Sequence, residues 1–252
     1  MGQTATVPER ATRSDRQPRR ALPLTRRYEV AFLTPQDTVE EFSRVAPALP
    51  AFEEAFSAFG RGALVSTPEG FVAVEDLVPG MQVETADNGL QTLLWVGSIT
   101  MVPPAGDIDG VEAPRLTRIS TEAFGPDRPL PDLILGPYAR LLYKNVRCMD
   151  VLGTASAFVP AEAFRDGLSV IAVSPIAPVR VYHLGFAGQQ TLRANGLDVE
   201  SYHPGPQFGA RMDRTTLQLF LSLFPHASGR EGFGPMKIPR MTSYEFETLG
   251  EL

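Results

Sequence analysis

Cysteine is almost missing from this chain: Cys148 stands alone among 252 residues. An internal disulfide is therefore excluded, and with it the disulfide scaffolds and cysteine-rich zinc sites that staple small domains. One thiol suits a reducing or an oxidising compartment equally. Long apolar runs are missing too, none approaching the ~20 residues that a spanning helix needs. The three histidines, His183, His203 and His226, share no metal-ligand spacing, so no metal site is expected. Neither a phosphate-binding loop nor a dinucleotide fingerprint occurs, so no cofactor is expected either. A dominant positive charge is also lacking. The formal net charge of −6 argues against a whole-protein nucleic-acid binder, which must neutralise phosphates.

What is present is an ordinary globular composition, 43% hydrophobic and 21% charged, with length enough to bury about 70–75% of the unfolded chain's surface. Residues 1–27 hold seven arginines against Glu9 and Asp15 and read as a disordered basic arm. A solvated tail is the simple expectation; contact with an acidic partner or a membrane surface is the functional one. No apolar stretch of about 7–15 residues follows those charges, so no secretory signal peptide is expected and the cytoplasm is the default compartment. The opening "MGQTAT" fits the myristoylation pattern at Gly2 only formally.

Residues 28–57 read as a strand, "RYEVAFLT", followed by a partly helical stretch from Thr38 to Phe59. Pro47 and Pro50 confine the helix to about Ala51–Phe59, with Phe52, Ala55, Phe56 and Phe59 on one face. From residue 58 to 205 short β-like runs alternate with turn chemistry. Thr67-Pro68-Glu69-Gly70 and Asp87-Asn88-Gly89 predict two hairpins. Further runs fall at 115–120, 133–143, 157–160, 169–172, 178–186, 191–193 and 199–202. Without amphipathic helices between them, these strands predict an all-β fold. Residues 206–252 form an extension with one amphipathic helix, N-capped by Asp213 and carrying Leu217, Phe220, Leu221 and Phe224 at helical spacing. It can pack on the β domain or offer its apolar face to a protein partner, and residues from Ala227 onward read as irregular.

Three blocks then stand in order: Ala58-Phe59 with Gly62-Ala63-Leu64-Val65, Val74-Glu75-Asp76-Leu77, Pro79-Gly80 and Trp95-Val96-Gly97; "PDLILGPYARLL"; and "VYHLGFAGQQTLRANGLDVESYHPG". Together over about 150 residues they resemble the bacterial branch of the Hint (hedgehog/intein) self-processing family. The resemblance implies a horseshoe-like, barrel-like β fold of many short strands. It also implies an acyl-shift chemistry in which a thiol or hydroxyl attacks the preceding carbonyl while a histidine protonates the leaving nitrogen.

Against that pattern the chain carries several replacements. Ala58 stands at the nucleophile position, Ala139 at the second block's histidine and Gly136 at its small hydroxyl residue. His183 matches a family histidine, Gln189 replaces another, and Met81 replaces an aspartate. Losing either nucleophile or base costs on the order of 10⁶ in turnover in a comparable machine. The resemblance thus implies a Hint domain deficient in self-processing, kept as a structural or interaction module. The alternative is an active autoproteolytic or self-splicing domain with a nonstandard nucleophile. Ser57 is one such residue, but a one-residue slip in a strand turns a side chain to the other face. Cys148, next to Arg147, reads as structural. His183 reads as a core histidine or a surviving catalytic one, His203 as a strand-end residue and His226 as a helix-end residue. A β-rich binding module unrelated to this family is the third reading.

Overall fold

The structure, a computed structural model, describes residues 24–103, 115–210 and 212–251. Most of the expected basic arm, residues 1–23 with Gly2, lies outside them. The arm's last residues do not: β1 starts at Thr25 and runs to Leu33, so Thr25–Arg27 belong to a sheet. It pairs along its whole length with β2, Val39–Pro47.

The helical expectation for Thr38–Phe59 fails over β2, and the helix itself, α1, spans only Pro50–Glu54. The reason lies in position. β2 is the outermost strand of its sheet and turns most side chains to solvent, so no apolar alternation marks it in sequence. Pro50 opens α1 where its missing N–H costs nothing, and the chain leaves the helix for β3, Phe59–Gly60.

The two expected hairpins are present. β4, Leu64–Thr67, turns into β5, Gly70–Ala73, with Thr67 opposite Gly70. β6, Gln82–Thr85, turns into β7, Gly89–Thr92, with Thr85 opposite Gly89. Then come β8, Trp95–Met101, and β9, Leu116–Ile119. The run expected over 133–143 is broken at Gly136-Pro137 into β10, Leu133–Leu135, and β11, Arg140–Lys144. A short helix α2, Cys148–Leu152, precedes β12, Ser156–Pro160, and β13, Val170–Val173. The last strands are β14, Val179–Gly185, β15, Thr191–Ala194, and β16, Leu197–Glu200.

These strands make two antiparallel sheets. One has the order β13-β9-β10-β3-β14-β8-β1-β2 and the other β12-β11-β16-β15-β4-β5, with β6 and β7 attached through β15. The first core includes Ala58, Phe59, Val65, Leu135, Ala139, Leu184 and Leu192 and draws on both sheets. The second covers the opposite face of β8 and β14 with the flanks, joining Tyr28, Phe52 and Phe56 to Trp95, Ile99, Val181, Phe220 and Phe224. Trp95 explains the W-x-G element: its ring lies over Gly97, where a Cβ would stand 2.1 Å from Cη2. Its indole N–H donates to the Leu223 carbonyl at 2.8 Å.

The helix expected after Asp213 is α3, Arg214–Leu221, and the Asp213 carboxylate accepts from the Thr216 N–H. Phe220 and Phe224 are buried in the second core, so the apolar face of α3 is turned inward. The extension holds more than one helix: α4, Ser243–Glu251, lies where irregular chain was expected. Its start is a capping box, with Thr242 N–H on the Glu245 carboxylate at 2.8 Å and Glu245 N–H on the Thr242 hydroxyl at 3.2 Å. That signal, Thr242-Ser243-Tyr244-Glu245, was legible in the sequence. Among the described residues no helix is long and apolar enough to cross a membrane.

Candidate functional site

The peptide bond between Ser57 and Ala58 lies where α1 hands the chain to β3, between β14 and the turn after β10. The Ala58 N–H donates to the Tyr182 carbonyl at 2.9 Å, and its carbonyl accepts from the Gly136 N–H at 2.8 Å. The Ser57 carbonyl accepts from the Tyr138 N–H at 3.2 Å. Gly136 rests directly on this peptide: a Cβ there would stand 2.2 Å from the Ser57 oxygen and 2.6 Å from its carbon. Ser57, Ala58 and Ala139 are each no more than 1% exposed. The fold therefore brings Ser57, Ala58, Gly136 and Ala139 into one closed region, with Ala58 and Ala139 sharing the first core.

The Ser57 hydroxyl and the His183 ring both bond to backbone carbonyls of α1. Ser57 Oγ donates to the Glu53 carbonyl at 2.5 Å, and His183 Nδ1 lies 3.0 Å from the Glu54 carbonyl. A carbonyl only accepts, so Nδ1 carries the His183 proton. The hydroxyl and the imidazole thus satisfy the last carbonyls of α1, groups a helix end leaves without intrahelical partners. Burial pushes the His183 pKa down to about 3 despite the bond that Nδ1 donates to the Glu54 carbonyl, which acts the other way. Its ring meets Tyr202 and Phe59 edge-on at centroid distances of 5.3 and 6.3 Å. The Ser57 carbonyl thus has the Tyr138 N–H as a donor and the Gly136 backbone against it, while the methyl groups of Ala58 and Ala139 supply neither a nucleophile nor a proton donor.

Gln189 works as a clamp between β16 and the C-terminal flank. Its Nε2 donates to the Glu200 carboxylate at 2.5 Å and to the Ile238 carbonyl at 3.1 Å, while Oε1 accepts from the Lys237 and Ile238 N–H groups at 2.9 and 2.8 Å. His203 is similarly fixed: Nδ1 accepts from Gly205 N–H, and Nε2 donates to the Gly234 carbonyl, both at 3.0 Å. Burial lowers its pKa. His226 is enclosed by Trp95, Phe224 and Phe233, and burial pushes its pKa down to about 4. Cys148 is fully buried in a third cluster with Val159, Met241 and Leu249. Met81 is half-buried and packs against the first core. Among the described residues no group of three or more His, Cys, Asp or Glu side chains is placed to hold a metal.

Residue-by-residue reading missed a cluster of four charges beside His183. Arg240 Nε lies 3.0 Å from the Glu200 carboxylate and Arg240 Nη1 3.4 Å from Glu54; Arg140 Nη2 lies 2.9 Å from Glu54. Arg240 also donates to the His203 carbonyl. Glu200 is only 2% exposed, a burial tolerable only with such partners. Arg140 and Glu200 stand within the quoted blocks, but their partners Glu54 and Arg240 come from the two flanks.

A two-sheet, all-β domain closed around an internal peptide bond, with a tryptophan over the glycine of its W-x-G element, is the class these features define. A sequence model of the Hint domain family matches residues 57–206, and the chain belongs to that family. Among solved structures, the chain is similar to the solution structure of a bacterial intein-like domain from Clostridium thermocellum. That similarity has 15% identity and a TM-score of 0.39, covering 58% of this chain and 99% of the other. Comparison with curated proteins finds no match.

Proposed function

We propose that this chain is a Hint domain without self-processing activity, serving as a structural or interaction module. The observation that carries this reading is the occupancy of the Ser57–Ala58 region. A methyl stands at the nucleophile position, a second methyl stands at the proton-donor position, and the hydroxyl and imidazole that remain are bonded to α1 carbonyls. A neutral His183 with its Nδ1 proton on Glu54 has nothing to deliver to the Ala58 nitrogen, whose N–H is already donated to Tyr182.

The rival is an N-to-O acyl shift by Ser57, in which Oγ attacks the Phe56 carbonyl and the Ser57 nitrogen leaves. It requires Ser57 Oγ to abandon the Glu53 carbonyl. Denaturing intact-mass measurement after prolonged incubation with dithiothreitol or hydroxylamine separates the two. A single 27.4 kDa species is expected; fragments ending at Phe56 or Ser57 would overturn the inactive reading.

A further inference from the structure

A loop, a strand, a 3-10 turn and α4 each contribute one aromatic ring to a single cavity. Phe124, Tyr143, Phe164 and Phe246 line it, above a floor of the buried Leu141 and Leu197. The rings touch edge-on or tilted: Phe124 and Phe164 at 5.7 Å, Phe164 and Phe246 at 4.8 Å, Tyr143 and Phe246 at 5.0 Å between centroids. They do not close the space. A cavity of about 320 Å3 remains, at the small end of the range that small-molecule pockets occupy. Phe124 stays 36% exposed at its mouth.

One wall of this cavity is charged. Arg128 and Asp198 line both it and an adjoining hollow of about 570 Å3 that also contains Lys144 and Arg193. Lys144 Nζ lies 4.0 Å from Asp198, so that pair offsets itself. Among the described residues neither Arg128 nor Arg193 has a carboxylate within 4.0 Å. The local balance is positive in a chain whose net charge is −6. Guanidinium groups of this kind match a carboxylate with two parallel hydrogen bonds. A cation gains nothing at such a rim, and a neutral polar head leaves both guanidiniums unanswered.

We propose that this cavity binds a small amphipathic carboxylate, with its apolar body among Phe124, Tyr143, Phe164 and Phe246 and its head on Arg128 and Arg193. None of these residues belongs to the Ser57–Ala58 region, so the proposal stands or falls separately from the loss of self-processing. Titration calorimetry of the full chain with three ten-carbon probes tests it: decanoate, decanol and decyltrimethylammonium.

Decanoate is expected to bind about tenfold or more tightly than either of the others, at a Kd below about 1 mM, and to weaken as salt rises. Arg128→Gln combined with Arg193→Gln is expected to abolish that preference while retaining decanol binding. Phe124→Ala, at the cavity mouth, is expected to weaken all three. Unchanged far-UV spectra and melting temperature establish that the variants are folded. Equal binding of the three heads, no saturable decanoate binding, or a preference that survives the double arginine substitution overturns the proposal.

Discussion

Gly136→Ser puts back the hydroxyl that the family pattern places in the second block, and it tests how tightly the Ser57–Ala58 region is closed. Gly136 has no positive φ, so any penalty is steric. A Cβ would lie 2.2 Å from the Ser57 oxygen, 2.6 Å from its carbon and 3.2 Å from the Ala58 nitrogen. These are backbone atoms that cannot rotate away, and a comfortable contact needs about 3.5 Å. The chain must therefore retreat by roughly 1 Å, at the expense of the hydrogen bonds from Gly136 to Ala58 and from Tyr138 to Ser57.

Overpacking of this kind costs about 1–3 kcal/mol, and a weakened buried hydrogen bond adds about 1 kcal/mol. Replacing glycine returns about 0.4–1 kcal/mol through the unfolded chain. A net loss of about 2–3 kcal/mol follows, which lowers Tm by about 5–10 °C in a protein of this size. Thermal melts followed by circular dichroism measure it. Gly188→Ala is the control, because its Cβ would meet nothing nearer than 3.9 Å; it should melt within about 2 °C of the parent. If Gly136→Ser does the same, the region opens readily and the closure argument is wrong.

Arg240→Ala leaves Glu200 buried with Gln189 and a distant Arg140, 3.7 Å away; breaking a buried pair from one side costs about 3–5 kcal/mol. Limited proteolysis should then cut first near Pro239–Met241, whose backbone bonds to Phe158 lose their anchor. Phe56→Ala removes ring contacts with Tyr28 at 4.8 Å and Trp95 at 5.1 Å; urea unfolding should report a loss of about 3–5 kcal/mol. Acid sensitivity follows from His183 and His226, whose folded pKa values are depressed by burial to about 3 and about 4. Between those values and the ordinary 6.5 the unfolded chain binds more protons, so stability falls as pH drops. From pH 7 to 5 the two together lose about 4 kcal/mol. His226→Phe should remove about half of that slope, and urea midpoints at pH 5 and 7 show whether it does.

The features legible in the sequence are those whose causes are local. A proline-glycine turn closes β4 onto β5 and an asparagine-glycine turn closes β6 onto β7, because each turn's chemistry is contained in adjacent residues. The W-x-G element is local too, the glycine making room for a ring two residues away on its own strand. β2 is not legible in this way, because an outer strand is held by its backbone pairing to β1, and side-chain periodicity carries no record of that. The break at Gly136-Pro137 and the Thr242–Glu245 box are both local features of the sequence. The charge cluster could not be read one residue at a time. Glu54, Arg140, Glu200 and Arg240 are ordinary surface residue types until the fold removes water from between them.

The same packing bears on what cleavage at residue 57 would accomplish. The packing predicts that fragments cut at this bond would stay together under native conditions. β1 forms ladders with both β2 and β8, and Tyr28, Val30, Phe52 and Phe56 lie in one core with Trp95 and with Phe224 from beyond the family segment. The docking is written into the domain's own motif: a Cβ at Gly97 would strike Phe56 Cδ1 at 2.7 Å as well as the Trp95 ring. The glycine that admits the tryptophan therefore also seats the flank that processing would release. Arg240 fastens the other flank to Glu54 and Glu200, so the described segments on both sides of the family segment are tied together. A nicked chain would remain assembled under native conditions, which is why only a denaturing mass measurement decides whether the bond is ever cut. The described flanking segments are parts of the folded unit.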